Sequence, residues 1–257
     1  MKMKLLALAL LAAPLIAAPP RITNGTLQSA PSLAQGESAG AGWIGFAFTT
    51  AKPMSITCCG DNISIHRDDR GEIHPAGSSA VVLFARYDAG QVVKIRLYSP
   101  DCALDAGGQT VRWVESVSPV ESLQFLRRVV TNGDSRARNG ALLALSLHAN
   151  ATDTLIDFAR NSADAHVRGQ ALFWLAQSAG EKAAATLRHA VDNDPDQSVR
   201  AKAVFGISQL PDDESIPLLI DLLKHNRSRE VRKKAAFWLG QKKDPRALAA
   251  IEEILRQ

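Results

Sequence analysis

One short motif recurs four times between residue 134 and the C-terminus, and this recurrence limits the fold more than any other feature of the chain. The copies begin at Asp134, Asp164, Asp196 and Ser228. Successive starts are 30, 32 and 32 residues apart (134 to 164, 164 to 196, 196 to 228). A fixed period of this length is typical of stacked-repeat solenoids. The sequence therefore predicts a binding scaffold and does not say what is bound.

Each copy combines a helix cap, an arginine and a small residue at a fixed spacing. The first residue, Asp or Ser, can accept hydrogen bonds from the N–H groups of a first helical turn. An arginine follows four residues later and an alanine seven residues later, and the small alanine permits close approach of a neighbouring helix. The arginines are Arg138, Arg168, Arg200 and Arg232, and the alanines are Ala141, Ala171, Ala203 and Ala235.

We interpret the arginines as structural. An arginine that recurs at the period of the stack most simply pairs with the acid of the next repeat, such as Asp164 or Asp196, and packs its stem along the layer. The alternative is a strip that binds anions. Trp174 and Trp238 have a similar pair of interpretations, and we expect core positions rather than a platform for a ligand.

These motifs resemble HEAT repeats, in particular the short bacterial kind also seen in phycobilisome-lyase-like proteins. The resemblance rests on the Val-Arg-x-x-Ala segments at Val167, Val199 and Val231 and on Phe237-Trp238-Leu239-Gly240. It covers roughly residues 118–257. It implies an α-solenoid, which we expect to contain a capping helix from Ser118-Pro119-Val120-Glu121 and then four repeats. In this family the second helix of each repeat lines a concave binding surface.

The N-terminus has the features of an export signal. Lys2 and Lys4 precede an apolar run from Leu5 to Ile16, and the small residues Ala17 and Ala18 follow. We predict a signal peptide at residues 1–18 and a periplasmic or extracellular location. A buried helix and a retained N-terminal anchor are the alternatives. Residues 19–40 are rich in Pro, Gly, Ser and Ala, and we expect an irregular lead-in there.

Residues 41–116 have the pattern of a small, mostly-β domain. Apolar and basic residues alternate between Val92 and Tyr98, as in a half-buried strand, and Asp88-Ala89-Gly90 before them predicts a hairpin turn. Other strands are expected at Trp43–Thr50, Ser55–Cys59, Val81–Tyr87 and Thr110–Val114. The predicted fold class is therefore α+β, with the β-domain preceding an α-solenoid of HEAT type.

Export would make the three cysteines candidates for a disulfide. Neighbours on a strand point to opposite faces, so only one of Cys58 and Cys59 can readily reach Cys102. We expect one bridge between Cys58 or Cys59 and Cys102, and a bond between the adjacent cysteines is the alternative. Together with His66 and His74 the cysteines could instead bind zinc or copper. Their spacing matches no compact zinc finger, so we predict no cofactor.

The sequence contains two weak catalytic motifs. Gly36–Gly40 reads Gly-x-Ser-x-Gly, but no buried strand precedes it and no helix follows, as a nucleophile elbow requires. His66-Arg67-Asp68 lacks the downstream asparagine of a kinase catalytic loop. We therefore predict a protein without catalytic activity. A bilin lyase-like protein or a metal-binding enzyme accessory, built on the same repeats, is the alternative.

The expected partner is another protein. The net charge of +4 is small and most basic residues alternate with acids, so we expect no nucleic-acid binding. A basic stretch in the last repeat indicates either a solvated face or a patch for an acidic protein or an anionic envelope surface. The candidate partner-binding residues are Arg160, Arg188, His189, Asp221, Lys224, Lys233 and Lys234.

Overall fold

The computed structural model describes residues 15–16, 18–37, 40–54, 78–100, 102–178 and 181–256. The chain divides into two compact units, residues 1–137 and 138–257. The first, here the strand-rich unit, contains nearly all of the β-structure. The second, the helical unit, is a run of helices, so the predicted α+β class is confirmed.

The strand-rich unit begins with short strands and ends with a long helix. Its strands are β1 (Leu15–Ile16), β2 (Ile22–Thr23), β3 (Thr26–Ala30), β4 (Gly42–Met54), β5 (Ser78–Asp88), β6 (Gln91–Tyr98), β7 (Leu104–Asp105), β8 (Thr110–Val114) and β9 (Ser116–Val117). Its helices are α1 (Leu33–Glu37) and α2 (Pro119–Asn132).

Five strands form the central sheet in the order β3-β8-β4-β5-β6. β8 pairs in parallel with both β3 and β4, whereas β4–β5 and β5–β6 are antiparallel. The hairpin turn lies between β5 and β6 as predicted, with positive φ at Ala89 and Gly90. Positive φ at both central residues is the geometry that a tight two-residue hairpin requires.

Both faces of the sheet are covered. On one face Trp43, Phe84 and Trp113 belong to a buried cluster. On the other face the fully buried Phe46 contacts Phe125 of α2 edge to face, with ring centroids 5.3 Å apart. α2, which we predicted as the capping helix of the solenoid, thus lies within the strand-rich unit, and the boundary between the units falls after Ala137.

Residues 19–40, which we expected to be irregular, contain β2, β3 and α1. β3 has little apolar alternation, since most of its side chains are exposed. Its backbone nevertheless pairs with β8 over its whole length, from Thr26 opposite Thr110 to Ala30 opposite Val114. An edge strand of this kind is held by main-chain hydrogen bonds, which the side-chain pattern does not report.

Several sequence predictions fall largely outside the described residues, and the strand expected at Ser55–Cys59 lies wholly outside them. Of the predicted signal peptide, Leu15–Ile16 pairs with Ser116–Val117 and Ala18 is exposed, and the rest lies outside. Cys102 is buried and disulfide-bonded. Its expected partners, Cys58 and Cys59, lie outside the described residues together with His66 and His74, so the choice of partner stays a prediction.

The helical unit continues with helices that form four consecutive pairs. The first helix of each pair is α3 (Ser135–Leu147), α5 (Ala165–Ser178), α7 (Gln197–Ser208) or α9 (Arg229–Gly240). The second helix is α4 (Thr152–Asn161), α6 (Glu181–Asn193), α8 (Asp212–His225) or α10 (Pro245–Leu255). Among the described residues, no helix has the length and apolarity needed to span a membrane.

The motif residues explain why the first helices begin and pack where they do. The Asp196 carboxylate accepts from the N–H groups of Ser198 and Val199, and the Ser228 hydroxyl accepts from Val231 N–H. All four motif alanines are fully buried, and α5 contacts α7 as α7 contacts α9. The first helices α5, α7 and α9 therefore lie side by side and form one layer.

Candidate interaction surfaces of the helical unit

The motif arginines connect each first helix to the turn before it. Arg168, Arg200 and Arg232 each donate from Nη1 to the carbonyl oxygens five and six residues earlier, at distances of 2.6 to 3.2 Å. These carbonyls follow the end of a second helix, where backbone acceptors have no intrahelical partner. The arginines are thus used to satisfy the turns of the stack.

Arg168 makes an additional buried ion pair. Its Nε and Nη2 lie 2.8 and 3.0 Å from the two carboxylate oxygens of Asp194, and the side chains are only 10% and 5% exposed. The hydrogen bond to Asp194 is the main cause that raises the pKa of Arg168. The sequence pattern indicates Asp196, the first residue of the next repeat, as the acid that pairs with Arg168. Asp196 instead caps α7, because its carboxylate is already bound to the first-turn N–H groups.

Arg138 makes the ion pair that the sequence pattern indicates, with the acid that begins the next repeat. Its Nη1 lies 2.6 Å from the carboxylate of Asp164, the cap of the next first helix. Asp164 also accepts from the N–H groups of His166 and Val167, so a single carboxylate caps α5 and binds α3.

Second helices are connected to one another by ion pairs on their exposed side. Arg188 of α6 contacts Asp192 at 2.8 Å and also Asp221 of α8. Lys224 of α8 lies 2.6 Å from Glu253 of α10. The hydrogen bond from Arg188 is the main cause that lowers the pKa of Asp221. Three candidate partner-binding residues, Arg188, Asp221 and Lys224, are therefore engaged within the stack.

Arg160 and His189, two further candidates, line a pocket of about 240 Å³. The buried Arg168–Asp194 pair also contributes to its wall. Both candidate residues are exposed, and neither side chain has a hydrogen-bond or ion-pair partner among the described residues. The structure thus brings these two candidates together, whereas Lys233 and Lys234 lie on α9.

The two α9 lysines differ in their contacts. Lys233 lies 3.2 Å from Glu230 on the same helix. Lys234 has no polar partner within the part of the chain that the structure describes. Phe237 lies one turn further along the same face and is 58% exposed. At spacings of three and four residues, both lysines are surface neighbours of this phenylalanine.

Phe237 is the exposed end of a column of rings that crosses three first helices. The ring centroids are 4.8 Å apart for Trp174–Phe173, 6.3 Å for Phe173–Phe205, 5.0 Å for Phe205–Trp238 and 4.9 Å for Trp238–Phe237. Apart from Phe237 these residues are half-buried. We call this set the aromatic column. Trp174 and Trp238, expected in the core, are partly at the surface.

Carboxylates are distributed unequally between the two helix layers. Within α5, α7 and α9 the only one is Glu230. The second helices carry at least two each, namely Asp153, Asp157, Glu181, Asp192, Asp212, Asp213, Glu214, Asp221, Glu252 and Glu253. Aromatic and basic residues at fixed positions after each cap were visible in the sequence, but their meaning depended on which helices share a layer.

Within the described ranges, no group of three or more His, Cys, Asp or Glu residues is placed to hold a metal ion.

A comparison with curated proteins gave no match. Residues 152–226 and 184–257 match the family of HEAT repeats. This match does not distinguish phycobilisome-lyase-like repeats from other HEAT repeats, so that finer resemblance stays a prediction. The helices from α4 to α10 are HEAT repeats.

Proposed function

We propose that this protein is an exported scaffold without catalytic activity, whose HEAT repeats bind another protein. HEAT repeats commonly serve as surfaces for protein–protein interaction, and a stack of this kind offers an extended surface. One observation carries the proposal for this chain. The recurring motif groups, such as Arg168, are used to build the stack, while outward-facing residues such as Arg160 and Phe237 are exposed.

The export part of the proposal is supported by the basic and apolar pattern of residues 1–18 and by the disulfide at Cys102. Disulfides persist in oxidising compartments. Cell fractionation of the full chain with a C-terminal tag tests this. We expect the protein in the periplasmic or extracellular fraction, and a variant without residues 1–18 in the cytosol. Equal distribution of both forms would overturn the export proposal.

The binding part is tested by site-specific photo-crosslinking in the producing cell. A photoreactive residue is placed at Phe237 on one helix layer and at Arg160 on the other, both of which are exposed. We expect at least one position to crosslink reproducibly to one protein of the envelope fraction. If neither position, nor any other exposed position of the helical unit, crosslinks to a protein, the scaffold proposal is wrong.

The alternative, a bilin lyase-like or metal-binding accessory protein, makes a different prediction for purified material. A bound tetrapyrrole absorbs visible light, and elemental analysis detects a stoichiometric metal. Either result would favour the alternative over the scaffold. We expect a colourless protein whose metal content does not reach one ion per chain.

A further inference from the structure

We propose that the aromatic column, together with the lysines beside it, is a docking surface for an acidic segment of a partner protein that also carries apolar side chains. The proposal deepens the scaffold function and rests on it. It places the contact on the first-helix layer, whereas most residues that we selected from the sequence lie on the second helices.

The aromatic column supplies a continuous apolar surface. The rings of Phe173 and Phe205 are within 7° of parallel, and Phe205 contacts Trp238, so the rings bridge the gaps between helices. Adjacent helix axes lie about 8–10 Å apart, and the column from α5 to α9 therefore spans about 16–20 Å. An extended chain of about six residues covers this length at roughly 3.3 Å per residue.

Lysine ammonium groups lie beside the column on the same face. Lys202 is three residues before Phe205, and its stem passes over Gly169 of α5. A Cβ atom at Gly169 would lie 2.7 Å from Lys202 Cδ and 3.1 Å from its Nζ. The absence of a side chain at Gly169 thus gives the lysine its place between α5 and α7, one turn before Phe173. Lys234 has the equivalent position on α9 beside Phe237.

The charges of this face select an acidic partner. α5 and α7 contain no carboxylate, and the single carboxylate of α9, Glu230, is bound to Lys233. Two lysines over about 20 Å are too sparse for the strong counterion release that nucleic acids require. They suit two carboxylates on a short segment, while the aromatic rings act as anchors for apolar side chains between them.

The defined probe is a fluorescein-labelled peptide of eight residues in which glutamate alternates with leucine or phenylalanine. Fluorescence anisotropy measures its binding to the full-length protein. We expect binding that weakens with added salt, because salt screens the attraction between charges at a protein surface. A peptide with lysine for every glutamate, and one with serine for every apolar residue, should each bind about tenfold more weakly or worse.

Charge reversal at the lysines is the sharpest variant. We expect Lys202→Glu/Lys234→Glu to weaken peptide binding about tenfold or more, since two attractions become repulsions. The matched control is Lys182→Glu/Arg256→Glu, which changes the net charge equally at residues of α6 and just after α10 whose side chains are 71% and 78% exposed. The control should bind within about twofold of the wild type. Thermal melting of each variant identifies any loss of fold.

A second variant tests the rings. Phe237→Ser removes the most exposed ring of the column and should weaken the peptide several-fold without loss of fold, because more than half of this side chain is already in solvent. Peptide affinity that is the same for wild type and Phe237→Ser would contradict the role of the aromatic column.

The outcomes separate this proposal from the scaffold function. If the wild type does not bind the acidic apolar peptide, or if the control reversal weakens binding as much as the lysine reversal, the docking surface is wrong. Crosslinking at Arg160 can still support a scaffold. Binding to vesicles of phosphatidylglycerol but not to the peptide would also overturn it, in favour of a lipid surface.

Discussion

The two helix layers of the helical unit use charge in opposite ways. The second helices α6, α8 and α10 are joined by ion pairs such as Lys224–Glu253, so that basic and acidic groups largely satisfy one another. The first helices α5, α7 and α9 contact one another through alanines and rings and have almost no carboxylates. The layer of first helices therefore carries positive charge with almost no carboxylates beside it.

Burial decides which of these contacts stabilise the fold. The Lys182–Asp153 pair on the second helices is 71% and 82% exposed, and pairs of this kind contribute about 0–1 kcal/mol. Removing one member of a buried pair such as Arg168–Asp194 costs about 3–5 kcal/mol, because the remaining charge is left without a partner. Stability should thus depend on the turns between layers and much less on the exposed ion pairs.

The largest expected effect is at Asp194. Asp194→Ala leaves the buried Arg168 guanidinium unpaired and should lower the free energy of unfolding by about 3–5 kcal/mol, measured by urea denaturation. Asp194→Asn is the matched control, because Asn226 has the equivalent place before the next cap and its Oδ1 accepts from Ser228 N–H. The asparagine variant should lose clearly less. An alanine variant within about 1 kcal/mol of the wild type would contradict the importance of the turns.

The next largest effect is a loss of stability at acid pH. His148, the first residue after α3, is 4% exposed, and burial lowers its pKa from 6.5 to about 4. Between these values the unfolded chain binds a proton that the folded chain does not. This titration therefore leaves the free energy of unfolding unchanged above pH 6.5. As the pH falls from 6.5 towards 4, the free energy of unfolding decreases by about 3 kcal/mol in total.

His148→Leu isolates this titration, because Leu210 has the same position after the cap Asp196 and is buried there. The free energy of unfolding of the wild type should fall more steeply than that of the variant between pH 7 and pH 4.5. Parallel curves for the two proteins would show that His148 is not the titrating group.

The repeats were the most predictable part of the fold. A cap such as Asp196, a buried alanine such as Ala203 and a following apolar stripe act within one or two turns, so local spacing specifies them. The strand from Gln91 to Tyr98 was predictable for the same reason, since alternation and the turn at Gly90 are local signals.

The remainder depends on contacts between distant segments. β3 is stabilised by main-chain pairing with β8, which leaves no periodic signal in its side chains. The helix α2 was predictable from its cap, but the contact of Phe125 with Phe46, which places it in the strand-rich unit, was not. Which of Asp194 and Asp196 pairs with Arg168 depends on the direction of one side chain. The aromatic column was only partly visible, because a sequence gives the position of each ring but not which helices are adjacent.

A smaller effect tests how closely the layers approach. A Cβ atom at Gly206 of α7 would lie 2.5 Å from Leu187 Cδ2 of α6, and Leu187 is fully buried. Gly206→Ala should therefore destabilise the protein by about 1–2 kcal/mol despite its better helix propensity. At Gly240, near the end of α9, a Cβ atom meets nothing within 4 Å.

Gly240→Ala should consequently stabilise the protein by about 0.5–1 kcal/mol. Thermal melting of both variants gives the two signs in one experiment. If both alanine variants were stabilised, the close approach of α6 and α7 at Gly206 would be contradicted.

The smallest expected effect is on the second helices themselves. Lys182→Ala should change the free energy of unfolding by less than about 0.5 kcal/mol, because both members of its pair with Asp153 are largely in solvent. Lys224→Ala should cost somewhat more, about 1 kcal/mol, since its side chain is only 27% exposed at 2.6 Å from Glu253. A double-mutant cycle with Glu253→Ala separates the pair from the packing of the lysine stem. A coupling energy above about 2 kcal/mol at 150 mM salt would mean that exposed ion pairs hold the stack as firmly as the turns do, and the contrast between the layers would then be one of charge alone.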